Sequence, residues 1–142
     1  VGTTPHRGTI TGVYTVLVEG DDMNEPIADA IRAIADGHIV LSRELANQGH
    51  YPPIDVLGSI SRVMVDVVNP DQMSARNKLI SVMAAYKRVE DLINIGAYVE
   101  GSNPEIDYAI KKLPEINAFL RQGISEKVDY AECLTRLKGL FR

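Results

Sequence analysis

One run near the start constrains the fold most. Residues 9–18, Thr-Ile-Thr-Gly-Val-Tyr-Thr-Val-Leu-Val, are β-branched and aromatic and turn almost wholly apolar toward the end. Such a run reads as a sheet strand with both faces covered. An acidic turn follows over residues 19–26, where Asp22 or Asn24 can cap a helix with Glu25 and Pro26 in its first turn. That helix carries Ile27, Ile31 and Ile34 at helical spacing and stops at Asp36-Gly37. A short strand over residues 38–42, a brief helix over 43–47 and an extended Tyr51-Pro52-Pro53 come next. Ile54 to Leu57 is read as a further strand leading toward Met64. This β-α-β-α-β order predicts helices on a mostly parallel sheet, an α/β class.

Past residue 70 the periodicity becomes helical. Asn69-Pro70 opens a long amphipathic helix with Leu79, Val82, Met83, Tyr86, Val89, Leu92 and Ile93 on one side, ending around Gly96. A polar loop over residues 100–103 leads into a helix whose first residue is Pro104 and whose apolar face is Ile106, Ala109, Ile110 and Leu113. Pro114 removes a backbone donor and is expected to break or kink it. A last helix from about Asp129 presents Cys133, Leu134, Leu137 and Leu140.

Composition excludes several classes. At 142 residues and 45% hydrophobic content, the chain can bury a core and is not disordered in character. No apolar run approaches a membrane span, and Val1 to Arg7 lack the pattern of a secretory signal. The single Cys133 excludes an internal disulfide, fits a reducing cytoplasm and is read as core packing against Tyr130, Leu134 and Leu137. Residues 1–70 have a net charge of −5 and residues 71–142 a net of +1, with the cations interleaved among acids. That is a solvated helical surface, so no nucleic-acid partner is expected.

The residues that could carry chemistry are few. No stretch matches the phosphate-binding pattern G-x-x-x-x-G-K-[ST], no His and Glu share metal-site spacing, and no serine sits in a glycine elbow. No metal ligands are assigned. His6, His38 and His50 are isolated and read as structural. The acidic group Glu19, Asp21, Asp22 and Glu25 suits either helix capping or Mg²⁺, with capping preferred. Arg62 follows a strand-like segment and is the sole Lys or Arg between Arg43 and Arg76. Its planar fork could neutralise a transferring phosphoryl group on a neighbouring subunit. The alternative is a surface ion pair with Asp55 or Asp66.

Longer blocks go beyond pattern. Tyr14 through Asp29, Asp36 through Arg43, Gly49-His50-Tyr51-Pro52, Ser59 through Met64, Glu90 through Tyr98 and Phe119-Leu120-Arg121-Gln122-Gly123 run in order along most of the chain. Together they closely resemble the flagellar protein-export ATPase family. Injectisome ATPases of type III secretion share the first blocks, and the catalytic subunit of rotary ATP synthases is a more distant relative. Asn24 and the Ala97-Tyr98 block lean toward the flagellar branch.

The resemblance implies that this is the C-terminal portion of a longer enzyme. Residues 1–70 would be the last part of a RecA-like core and residues 71–142 an α-helical C-terminal domain. The phosphate-binding loop, the catalytic glutamate and the Mg²⁺-supporting aspartate would lie before Val1. Arg62 matches an arginine that acts in trans on the neighbour's ATP, a role typically worth ~10³–10⁵ in rate. Tyr51 matches the aromatic that stacks on adenine, by analogy with base stacking roughly 1–3 kcal/mol. Phe119, with Gln122 nearby, matches the element closing the other side of that pocket. For Tyr51 and Phe119 core packing is the competing role.

The resemblance further implies ATP and Mg²⁺ in the whole enzyme, with neither held tightly by this portion, which alone should not hydrolyse ATP. It implies a homohexamer that meets a coiled-coil stalk protein, a stator-like regulatory protein, the export gate, and export substrates with their chaperones. The place implied is the cytoplasm at the flagellar base, peripheral to the inner membrane. One departure stands out. Rotary relatives push on their stalk with a strongly acidic turn, whereas residues 99–105 here hold only Glu100 and Glu105. An injectisome ATPase and a non-catalytic partner-binding domain are the alternative functions.

Overall fold

The computed structural model describes residues 2–4 and 8–142. His6 lies outside the described residues, as do Val1, Pro5, Arg7 and the side chain of Asp21. The chain divides into two compact units, Val1–Ala35 and Asp36–Arg142.

In the first unit, β1 (Gly2–Thr4) pairs antiparallel with β2 (Gly8–Ile10), placing Thr3 opposite Thr9. The strand expected over residues 9–18 stops at Ile10. Residues 11–18 keep a strand-forming composition, but they make no ladder with any described strand. A strand exists only through its neighbour's hydrogen bonds. Instead of lying covered on both faces, Val13, Tyr14 and Leu17 are 90%, 81% and 92% exposed. The helix expected next is α1 (Pro26–Ile34), with Pro26 at its first position. Neither Asp22 nor Asn24 caps it; Glu25 holds the cap position, and the Asp22 carboxylate accepts the Asn24 amide at 2.9 Å instead.

The second unit opens with β3 (Gly37–Leu41), α2 (Arg43–Asn47) and β4 (Ile54–Ser61). Ser42 caps α2 by accepting the Leu45 amide. The strands pair antiparallel, with Leu41 opposite Ile54 and Gly37 opposite Ser61, and not in the parallel arrangement expected. The reason is length: α2 spans only about 7.5 Å, too little to carry the chain back along β3, so β4 returns beside it. The register slips between His38 and Val40, and β4 bulges to absorb the slip. Within the bulge the Asp55 carboxylate accepts the Gly58 amide, and Ser59 Oγ donates to the Asp55 carbonyl at 2.6 Å while accepting from Val40 N–H.

After a short α3 (Met64–Val67), Asn69 caps α4 (Pro70–Lys87) through the Gln72 amide at 2.9 Å. The long helix expected to reach Gly96 ends at Lys87, and α5 (Glu90–Asn94) begins separately. No proline or glycine marks the break. Arg88 instead reaches Glu105 at 3.0 Å, tying the turn to α6 (Pro104–Leu120). Pro114 does not break α6. Ala109 and Ile116, each fully buried, pin both halves of the helix against Leu79, Val82 and Ala85 of α4. Burying such a set outweighs the roughly 3 kcal/mol of an interior proline. The last helix, α7 (Tyr130–Gly139), is capped by Asp129 and adds Leu137, with Leu140 and Phe141 beyond it, to the same core. Cys133 is exposed, not packed in the core. Among the described residues no helix is long and apolar enough to cross a membrane.

Candidate functional site

Tyr51 is delivered by local chain geometry. Gly49, at φ +69°, turns the chain out of α2 in a conformation that side-chain-bearing residues rarely adopt. The His50 amide then closes onto the Leu45 carbonyl at 2.9 Å, and the His50 ring is buried. Burial, and secondarily the Arg121 guanidinium, holds the His50 pKa below its ordinary value. Tyr51 follows and is 55% exposed, so core packing does not account for it.

Gln122 comes to the same place from the other half of the chain. Its amide donates to the Tyr51 carbonyl at 2.9 Å, and its Nε2 donates to the Glu126 carbonyl at 3.0 Å. Phe119, one turn earlier on α6, is partly buried against the α4–α6 core. Thus Tyr51 and Gln122 are brought together, while Phe119 packs inward.

Arg62 lies elsewhere. Its backbone amide bonds the Asp36 carbonyl at 2.8 Å, just past the Gly37–Ser61 end of the strand pair. Tyr51 precedes the opposite end, where Leu41 faces Ile54. The two ends are about 13 Å apart along β3 at the usual rise per residue. Gly37 permits this close pairing: a Cβ there would meet the Ile60 carbonyl oxygen at 2.6 Å. Arg62 is exposed. His38, read as structural, sets its Nε2 3.2 Å from the Gly58 carbonyl in the bulge.

Glu126 and Arg136 carried no signal in the sequence. The Glu126 carboxylate accepts the Gly123 amide at 3.1 Å and Arg136 at 3.3 Å. Arg136 also pairs with Glu132. Among the described residues no three His, Cys, Asp or Glu side chains gather to hold a metal ion.

The strand-and-helix segment, residues 1–61, matches the ATP synthase alpha/beta family nucleotide-binding domain. Residues 68–139 match the T3SS EscN ATPase C-terminal domain, and the chain belongs to this family of type III secretion and flagellar ATPases. It is 52% identical over 94% of its length to the "Flagellum-specific ATP synthase" of Bacillus subtilis. It is 51% identical, again over 94%, to the "Type 3 secretion system ATPase" of Pseudomonas syringae. The chain spans 31% and 30% of those two proteins.

Among solved structures it is similar to the assembled ATPase EscN of enteropathogenic E. coli, with a TM-score of 0.87 and 44% identity over 94% of this chain and 32% of that one. EscN in complex with its central stalk EscO gives a TM-score of 0.85 and 42% identity over 98% of this chain and 32% of that one.

Proposed function

We propose that this chain is the C-terminal part of an ATP-hydrolysing motor that drives export of flagellar proteins. Residues 1–70 complete a RecA-like core and residues 71–142 form its helical domain. The observation that carries the reading is the separation of the two candidate groups. Tyr51, seated on Gln122, presents an exposed aromatic face at one end of the β3–β4 pair, and Arg62 emerges at the other. One nucleotide then uses the aromatic face of its own subunit, closed from the side of Phe119 and Gln122, and the arginine of the next. This division requires a neighbouring subunit, and the assembled state of EscN supports the proposed homohexamer.

ATP is the nucleotide, and Mg²⁺ accompanies it on parts of the enzyme outside this chain. The EscN–EscO complex supports a coiled-coil stalk as partner. A stator-like regulator, the export gate, and substrates with their chaperones complete the proposed partners, at the cytoplasmic face of the inner membrane. This chain alone is expected to be catalytically silent, since its sequence has no phosphate-binding loop. Incubation of the chain with Mg-ATP tests this: no turnover is expected, and robust hydrolysis overturns the division of labour.

The 51% identity to the type III secretion relative favours a second reading, an injectisome ATPase. Restoration of motility by the full-length protein in a strain lacking its flagellar ATPase selects the first reading. Failure there with restoration of injectisome secretion selects the second.

A further inference from the structure

The loop between α6 and α7 carries Gln122 to Tyr51, yet no residue from 121 to 127 is buried. Ile124, its most apolar member, is fully exposed. A segment without apolar anchors opens easily unless hydrogen bonds hold it. Here the bonds converge on one residue. Gln122 Nε2 donates to the Glu126 carbonyl at 3.0 Å, Gly123 N–H to Glu126 Oε2 at 3.1 Å, and Arg136 to Glu126 Oε1 at 3.3 Å. Glu132 holds Arg136 from its own helix, so the chain of contacts ends on a regular element. The Gly123 amide first, and Arg136 next, keep the Glu126 carboxyl below the usual carboxylate range, so it stays charged.

We propose that Glu126 is a positioning residue for nucleotide binding: with Arg136 it fixes the 121–127 loop, and through the Gln122 amide it fixes the Tyr51 segment against which the base stacks. This rests on the reading of Tyr51 as the base-stacking aromatic. Glu126 touches no nucleotide and does no chemistry, so its loss should weaken binding while leaving the reacting centre alone. A residue that merely stabilised the fold would lower the active fraction, and with it kcat, at constant KM.

The test uses the full-length protein carrying this chain. Glu126→Ala is expected to raise KM for ATP about three- to tenfold, the span set by one net hydrogen bond. Its kcat should stay within about twofold of the parent. Glu126→Gln keeps an acceptor for Gly123 without the charge facing Arg136 and should fall between the two. Arg136→Met should raise KM in the same direction with Glu126 left in place. Deuterium uptake of a peptide spanning residues 119–124 should quicken in Glu126→Ala. An unchanged KM, a fall in kcat alone, or unchanged uptake overturns the proposal. If the parent protein hydrolyses no ATP, the proposed function fails, and the deuterium uptake still decides whether Glu126 holds the loop.

Discussion

The Gln122 amide donates to the Tyr51 carbonyl at 2.9 Å, joining the segment after α2 to the segment after α6. The bond uses main-chain atoms on both sides, so it fixes where the Tyr51 side chain starts without occupying its ring. The residue remains 55% exposed, which leaves its side chain open to stack on a planar ligand. Tyr51→Ala should therefore weaken ATP binding by roughly 1–3 kcal/mol, and Tyr51→Phe should restore most of it. Equilibrium binding of a fluorescent ATP analogue to the full-length protein measures both. Equal losses in the two variants would assign the role to the hydroxyl instead of the ring.

Gly37 sets the end of the strand pair from which Arg62 emerges. In Gly37→Ala the added Cβ meets the Ile60 carbonyl oxygen at 2.6 Å, a backbone atom that cannot swing aside. Overpacking of this kind typically costs about 1–3 kcal/mol. It should also disturb the Arg62–Asp36 backbone bond. Thermal unfolding should show the lost stability, and kcat should fall more than ATP affinity. A variant with normal stability and turnover would mean that the pairing is looser than described.

Among the described residues, Ile116 is the largest side chain wholly removed from solvent, and it packs in the core with Leu79, Val82 and Ala85 of α4. Ile116→Ala should destabilise the chain by about 2–5 kcal/mol, read from denaturant midpoints at unchanged slope. A loss below about 1 kcal/mol would place the core elsewhere.

His50 gives the stability a pH dependence. Burial and Arg121 disfavour its charged form in the folded chain, so its folded pKa lies below the ordinary value of 6.5. As pH falls through 6.5, the unfolded chain takes up this proton before the folded chain does, and stability declines. The decline continues until the folded value is passed. His50→Gln should flatten that part of the stability profile, measured by denaturant unfolding between neutral and mildly acid pH. A slope that persists unchanged would transfer the effect to another group.

Much of the helical half was legible because helix starts are local. Asn69, Asn103 and Asp129 each accept an amide one turn ahead, and Pro70 and Pro104 stand at first helical positions. The bounds of α2 were equally plain, with Ser42 before it and Gly49 soon after. What stayed hidden depends on partners far along the chain. The interruption after Lys87 carries an Arg88–Glu105 pair, Pro114 is overridden by the burial around it, and residues 11–18 meet no described strand that could pair with them. The roles of Arg62, Tyr51, Phe119 and Gln122 were suggested by resemblance, and geometry adds which of them meet. Glu126 had no local signal, since its meaning lies in the contacts of one exposed loop.

In the proposed function, ATP hydrolysis is shared across a subunit boundary, with Arg62 acting on the neighbour's nucleotide. Paired measurements of ATP affinity and single-turnover hydrolysis in full-length Arg62→Ala test it most directly. The variant should keep an affinity within about threefold of the parent and hydrolyse ATP slower by ~10³ or more. Hydrolysis at the parental rate, or a loss of affinity that alone explains the loss of turnover, would contradict it.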